Sequence, residues 1–197
     1  MTSKTETRRQ GLRTRLIDLG EAVIREHGLP ALKARSLAAD AGCSVGAIYN
    51  VFPDLRHLAL AINSRTFKLL GQQVAEAVSP VAEASARERL VAMGLAYLDF
   101  ACENTPAWTA LFEVDMAVKD DIPDWYMAAM EALFDRIHQP VAELRPDLSA
   151  EDVAFLAHGL FSSIHGIVWL GLQNRILAVP KAELPRMITL ILSEVGA

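Results

Sequence analysis

Apolar residues recur along this chain at intervals of three and four positions, the spacing that places them on one face of an α-helix. The first such face runs from Leu12 to Val23, and its helix is predicted to end at Gly28, because a glycine followed by Pro30 is a usual stop signal. Long alternation of β-branched and polar residues, the pattern of strands, does not occur in the sequence. The sequence therefore predicts an all-α protein.

The same pattern predicts about nine helices. A short second helix over residues 37–41 is broken by Gly42, and a third over residues 45–51 is closed by Pro53. A fourth starts near Asp54, a good N-cap, and reaches about Val78. Later helices are predicted over residues 85–104, 106–114, 122–144, 149–175 and 181–195, with prolines near their boundaries.

Charge changes the picture once it is divided along the chain. The 197 residues are 52% hydrophobic, which excludes a disordered protein, and the net charge of −5 by itself argues against nucleic acid as a partner. However, the first 68 residues hold 11 basic and six acidic side chains, a net of +5, while the remainder has a net of −10. A basic front on an acidic body suits two parts with different partners, although chance fluctuation explains the split equally well.

The cysteines and the N-terminus bear on the compartment and on zinc binding. Cys43 and Cys102 are too far apart in sequence to suggest a disulfide framework or a zinc motif, which fits a reducing compartment. The first residues carry basic side chains with no apolar run behind them, so no signal peptide is predicted. We therefore expect a cytoplasmic protein with no metal and no cofactor.

Residues 34–52 have the spacing of a helix-turn-helix. A short helix ends at Gly42, whose freedom at positive φ permits a tight turn, and Ser44 is placed to cap the next helix. That second helix shows a surface of little bulk and no charge, which can enter the major groove of DNA without steric or electrostatic penalty. The hydroxyls of Ser44 and Tyr49 can donate to phosphates, and Asn50 can bond a base edge or the backbone.

This segment resembles the TetR family of transcriptional regulators. The matching residues are Gly28–Leu32, the run from Arg35 to Asp54, which includes a Tyr-x-x-Phe arrangement at Tyr49 and Phe52, and Leu58. The resemblance covers roughly residues 10–62. It implies a homodimeric, ligand-controlled protein that binds a double-stranded DNA operator. We accordingly expect a three-helix DNA-binding domain with a basic arm over residues 1–62, and a larger helical ligand-binding and dimerisation domain over residues 63–197.

The residues expected to contact DNA lie in the basic arm, in the helix-turn-helix and at the start of the fourth helix. They are Arg8, Arg9, Arg35, Ser44, Val45, Gly46, Ala47, Tyr49, Asn50, Arg56 and His57. The family usually has a phosphate-binding lysine where this chain has Leu55, so Arg56 or His57 is expected to take that role. Lys33 likewise stands where a Ser or Thr cap is usual.

The run from Val153 to Asn174 has no charged side chain over 22 residues, a length sufficient to span a bilayer. Its histidines, serines and amides are costly in hydrocarbon, so a helix at a domain or subunit interface is the preferred interpretation. Small residues four apart permit close approach of a second helix, and the last helix adds an apolar stripe. The predicted dimer interface comprises Gly159, Ser162, Ser163, Gly166, Leu184, Ile188 and Ile191. The segment Ser163–Trp169 also resembles a Trp-His-Gly-type C-terminal subgroup, with Ile164 in place of a tryptophan.

Aromatic and methionine side chains between the helix-turn-helix and the predicted dimer interface are candidates for an effector pocket. Adaptable methionines with aromatic walls suit a lipophilic ligand, although ordinary core packing explains the same residues. A cationic ligand is an alternative, since acidic side chains at Asp99, Glu103, Glu113 and Asp115 could meet it, although they could equally lie on a solvated face. The residues expected to bind a small-molecule effector are Phe100, Trp108, Phe112, Met116, Trp125, Met130, Phe134, Phe161 and His165.

Two motifs that suggest other functions are set aside. The pentapeptide Gly42–Gly46 matches the G-x-S-x-G pattern of hydrolases, but that chemistry needs a strand before the serine, and none is predicted. His158 and His165 are about 10 Å apart along one helix, too far to share a metal. We therefore predict a transcriptional regulator, most simply a repressor released from a pseudo-palindromic operator by its ligand, and not an enzyme. The alternative is a helical small-molecule-binding or scaffolding protein that no longer reads DNA.

Overall fold

The computed structural model of this chain describes residues 4–114, 122–173 and 178–196. Within those ranges the secondary structure is entirely helical, which confirms the all-α prediction. Nine α-helices occur there: α1 (Lys4–His27), α2 (Ala34–Ala41), α3 (Val45–Tyr49), α4 (Leu55–Val78), α5 (Ala86–Glu103), α6 (Thr105–Glu113), α7 (Asp124–Leu144), α8 (Ala150–Leu172) and α9 (Leu184–Ser193). The predicted helix boundaries agree with these to within a few residues, except that α1 begins earlier than the apolar pattern indicates.

The chain divides by its internal contacts into two compact units. The first comprises Met1–Phe67 with Asn104–Tyr126, and the second comprises Lys68–Glu103 with Met127–Ala197. Helix α6 therefore groups with the N-terminal helices by packing. The functional boundary after residue 62 stays a prediction.

The first unit is organised around α1, which packs against α2 and α6. Leu16 and Ile24 of α1, Leu37 of α2 and Trp108 of α6 are completely or almost completely buried there. Buried Asn63 donates a hydrogen bond of 2.9 Å from its side-chain amide to the carbonyl of Ala110, so α4 and α6 are also joined by a polar contact. Helix α1 therefore joins α2, the first helix of the helix-turn-helix, to α6.

The second unit is organised around α5, α8 and α9, which pack against one another. Glycines permit the close approach of α9. A Cβ atom added at Gly94 of α5 would lie 2.6 Å from Cδ1 of Leu192, and one added at Gly171 of α8 would lie 2.6 Å from Cδ2 of Leu184. These distances are well below van der Waals contact, so the absence of a side chain is what lets the helices meet.

This packing removes two residues from the predicted dimer interface. Leu184 and Ile188 are completely buried within the chain, where α9 packs on α5 and α8. They offer no surface to a second subunit. Ile191 is half-buried, and it stays in the prediction with the α8 residues.

Candidate nucleic-acid interface and ligand cavity

The turn between α2 and α3 has the conformation that the sequence predicts. Gly42 adopts φ 63° and ψ 38°, in the left-handed region, and the amide of Cys43 donates to the carbonyl of Ala38 at 2.9 Å. The side chain of Ser44 then accepts a hydrogen bond of 3.2 Å from the amide of Ala47 and caps α3. The turn therefore satisfies the ends of both helices, and α3 has a defined direction.

Helix α3 is anchored on one face and open on the other. Ile48 is completely buried, and Phe52 just beyond the helix is almost so. On the other face Ser44, Gly46 and Asn50 are exposed, and Tyr49 has 46% of its surface exposed. Val45 and Ala47 are half-buried beside them. The structure thus brings the α3 residues of the predicted DNA-binding set together on one uncharged surface.

Arginines of α1 contact the helix-turn-helix. The Nε of Arg9 donates to the carbonyl of Asn50 at 3.3 Å, and the guanidinium of Arg13 lies 5.1 Å from the ring centroid of Phe52. Arg15 donates to the carbonyl of Asp40 at 3.3 Å. Arg8 is exposed and lines an open groove between α1 and the helix-turn-helix. Arg8 and Arg9 were predicted to contact DNA, whereas the contacts of Arg9, Arg13 and Arg15 with the helix-turn-helix were not predicted from the sequence.

The start of α4 confirms the predicted Asp54 cap. Asp54 accepts from the amide of His57 at 2.8 Å, and its Oδ1 is also 2.8 Å from Nδ1 of the same histidine. Partial burial alone would raise the pKa of Asp54, but the hydrogen bonds from His57 and the nearby charges outweigh it and lower the pKa below its ordinary value. Arg56 and His57 are half-buried here, and Arg35 is exposed on α2.

A cavity of about 90 Å³ lies within the second unit. Its walls come from α4, α5, α7, α8 and α9 and are almost entirely apolar. The lining residues are Leu70, Val74, Leu90, Met93, Gly94, Tyr97, Leu133, Arg136, Ile137, Leu160, Phe161, Ile164 and Leu192. Of the residues predicted to bind an effector, Phe161 is the one in this lining. The aliphatic remainder was missed because leucines and isoleucines around a cavity look in sequence like ordinary core.

His165 lies directly behind the cavity wall. Its Nδ1 is 2.7 Å from the hydroxyl oxygen of Tyr97, and its ring stacks on Phe161 with centroids 5.7 Å apart. Burial lowers the pKa of His165 from its ordinary value of 6.5, so the neutral imidazole is favoured. The Tyr97 hydroxyl is therefore paired within the protein, and the cavity keeps an apolar wall at this point.

The other residues predicted to bind an effector are dispersed. Phe134 stacks on His158 at 4.3 Å between centroids and meets Phe161 edge-on. Phe100 is buried and Met130 half-buried in the second unit, whereas Trp108, Phe112 and Trp125 belong to the first. Met116 lies outside the described residues. Apart from the Phe134–Phe161–His165 group, the structure does not gather the predicted ligand residues around one cavity.

Helix α8 presents an exposed face of apolar and small residues. Phe155 has 81% of its surface exposed, and Gly159, Ser162 and Ser163 follow it on the exposed side. The serine hydroxyls donate to the carbonyls of His158 and Gly159 at 2.8 Å, so the helix itself satisfies them. By length and composition α8 could cross a membrane, although a single such helix is also typical of a soluble protein. Leu170 on α8 and Leu190 on α9 are further exposed leucines.

Comparison with known proteins gives a consistent result. Residues 90–192 match the family model described as the tetracyclin repressor-like C-terminal domain. The chain is 29% identical over 160 residues to the HTH-type transcriptional regulator BetI of Cronobacter sakazakii, a match that covers 80% of this chain and 77% of that protein.

Solved structures share the fold over nearly the whole chain. A protein of unknown function from Rhodococcus sp. RHA1 is 25% identical, with a TM-score of 0.70 and coverage of 92% of this chain and 93% of that chain. The transcriptional regulator FadR from Bacillus subtilis, solved in complex with stearoyl-CoA, is 14% identical, with a TM-score of 0.64 and coverage of 93% and 98%. The resemblance to a Trp-His-Gly subgroup stays a prediction.

Proposed function

The chain belongs to the TetR family of DNA-binding transcriptional regulators, and we propose that it is a repressor released from its operator by a small lipophilic ligand. The observation that carries this proposal is the α3 surface. Helix α3 is capped by Ser44, and it exposes the side chains of Tyr49 and Asn50 beside small residues. This is the arrangement required to enter a major groove. The residues proposed to contact DNA are those of the sequence prediction, with Arg9 and His57 also bound within the chain.

We further propose that the protein acts as a homodimer through the exposed face of α8. The surface comprises Phe155, Gly159, Ser162, Ser163, Gly166, Leu170, Leu190 and Ile191. An exposed apolar face of this kind on a soluble chain indicates a partner surface. Two-fold symmetry would place two α3 helices about 34 Å apart, one turn of DNA, which matches a pseudo-palindromic operator.

The cavity in the second unit supports control by a lipophilic molecule. Its walls are apolar, and FadR, which shares the fold, was solved with stearoyl-CoA. A ligand releases DNA only when it binds the DNA-free form of the dimer more tightly than the DNA-bound form. Release therefore depends on the ratio of the ligand's two affinities, and each tenfold step in that ratio corresponds to about 1.4 kcal/mol.

A transcriptional reporter tests the repressor assignment. The DNA upstream of this gene is fused to a reporter, and expression is compared in cells with and without the protein. A repressor predicts higher expression in its absence, restored to the low level by the wild-type chain. A fall in expression when the protein is removed would show an activator instead.

A further inference from the structure

Among the residues that the structure describes, one charged side chain lines the cavity. Arg136 of α7 is the cation among the described lining residues, which are otherwise apolar except for Tyr97, and it is also the exposed residue among them. A residue that both lines a cavity and reaches solvent marks the cavity's mouth. The site is thus apolar inside and positive where it opens.

Arg136 also differs from the other arginines that the structure describes in the second unit. Arg87 donates to the carbonyl of Val195, Arg89 pairs with Glu143, Arg145 pairs with Asp147, and Arg186 lies 3.5 Å from Glu183. Within the described ranges no carboxylate pairs with Arg136. Its helical neighbours three and four positions away are Ala132, Leu133, Gln139 and Pro140, so its own helix supplies no acid.

The other polar group of the lining is already occupied. The Tyr97 hydroxyl is bound to His165, whose neutral form is favoured, so neither group offers a charge to a ligand. A ligand with a cationic head would meet the Arg136 guanidinium with no nearby lining carboxylate to offset it. A ligand with an anionic head would gain charge-assisted hydrogen bonds from it.

We propose that this cavity takes the apolar tail of an organic anion and that Arg136 binds the anionic head at its mouth. This inference rests on the proposed function only in treating the cavity as the effector site. The volume of about 90 Å³ is smaller than the roughly 150 Å³ that holds benzene in an engineered cavity, so the tail is short unless the lining adapts. Met93 is the flexible lining residue suited to that adaptation.

Ligands with one tail and different heads test the charge. Hexanoate, 1-hexanol and hexylammonium are titrated into the DNA-free protein and followed by calorimetry and by NMR shifts. Hexanoate is expected to bind about tenfold more tightly than hexanol, because a hydrogen bond to a charged group is worth roughly that factor. Its advantage should shrink as salt is raised. Equal binding of hexanol, or tighter binding of hexylammonium, would overturn the proposal.

Variants then place the charge at one residue. Arg136→Gln should lower hexanoate affinity by about tenfold and leave hexanol affinity unchanged, while Arg136→Lys keeps most of the preference for the anion. Arg145→Gln, which removes a cation that does not line the cavity, is the matched control and should change neither affinity. An Arg136→Gln protein that binds hexanoate as the wild type does, or that loses both ligands equally, would contradict the assignment.

A coenzyme A thioester separates two sources of the anion. Hexanoyl-coenzyme A carries its charge on phosphates, whereas hexanoate carries it on a carboxylate, and Arg136 supports both. Tighter binding of the thioester identifies a phosphate-bearing effector, and tighter binding of hexanoate a free acid. Because these titrations contain no DNA, they fail or succeed independently of the reporter experiment.

Discussion

Tyr49 is the exposed aromatic residue of α3 that is proposed to contact DNA. It is 46% exposed although its neighbour Ile48 is completely buried, so this aromatic ring stabilises the fold little. An exposed tyrosine between exposed Gly46 and Asn50 presents a hydroxyl on the uncharged face of α3. Its value to the protein is therefore expected to lie in contacts outside the chain.

Replacing Tyr49 with Ala should weaken operator binding by about tenfold, the effect of losing one hydrogen bond to a charged phosphate. The free energy of unfolding and the dimer should stay unchanged, since the ring is not packed in the core. Fluorescence anisotropy on operator DNA measures the affinity. Leu69→Ala, a substitution at an equally exposed apolar residue (46%) of α4, is the control. Equal affinities for the wild type and Tyr49→Ala would remove Tyr49 from the interface.

His165 predicts a dependence of stability on pH. Burial lowers its pKa in the folded state below the ordinary 6.5, so the unfolded chain binds the proton more readily. The free energy of unfolding therefore falls as pH decreases through 6.5, until the folded state also takes up the proton. Above that range this group contributes no pH dependence.

Urea unfolding at pH 7.5 and 5.5 checks this effect. The wild type should lose more stability between the two values than His165→Gln does. His27→Gln, at the exposed end of α1, is the matched control and should behave as the wild type. The same loss of stability in His165→Gln as in the wild type would mean that another group carries the pH dependence.

Local signals in the sequence were sufficient for the helix boundaries other than the start of α1. Gly42, Ser44 and Asp54 end or cap their helices through bonds that reach at most five residues, and such short-range chemistry is readable from sequence. Which helix an apolar face packs against is a long-range property. Leu184 and Ile188 have the expected helical spacing, but their partners are α5 and α8 of the same chain. The cavity was unpredictable for the same reason, because its lining comes from five helices.

Replacing Gly94 with Ala tests the packing of α9. The new methyl group would lie 2.6 Å from Cδ1 of Leu192 and 2.8 Å from Cγ2 of Ile188, so both side chains must move. Although alanine favours a helix, overpacking should lower the free energy of unfolding by about 1–2 kcal/mol net. A Cβ atom added at Gly11 has nothing within 4 Å besides the adjacent residues and its own helix backbone. Gly11→Ala should therefore raise the free energy of unfolding by up to about 1 kcal/mol. Chemical denaturation measures both, and a stabilised Gly94→Ala would show that α9 packs less closely.

The net charge of −5 is the sum of a basic N-terminal part and an acidic remainder. The basic excess belongs to the first 68 residues, where arginines of α1 brace the helix-turn-helix. The acidic remainder favours contact with DNA through the basic part alone, because like charges repel elsewhere. The family and the α3 surface proposed to bind DNA were accessible from sequence because a contiguous motif carries both, and the all-α fold was accessible from the helical spacing of apolar residues. The anionic effector proposed here could be inferred only from the residues that line the cavity.

Dimerisation has a test that leaves the protomer intact. Apart from the adjacent residues and the backbone of α8 itself, none of the described residues lies within 4 Å of a Cβ atom added at Gly166, so a side chain there begins in open space. Gly166→Leu should shift the protein towards monomer in sedimentation and, through the lost second half-site, lower operator affinity. For the sedimentation measurement, Gly11→Leu is the matched control, because a Cβ atom added there on α1 also begins in open space. A Gly166→Leu protein that remains fully dimeric would move the interface away from this face of α8.

Selection of binding sites from a random pool of double-stranded DNA tests whether the protein reads DNA as a dimer. We expect the wild-type protein to enrich a pseudo-palindrome whose half-sites lie about one helical turn apart, and its affinity for that site to fall steeply as salt increases. Enrichment of no sequence, or of a single unrepeated site with affinity insensitive to salt, would contradict a dimeric regulator that reads DNA through α3.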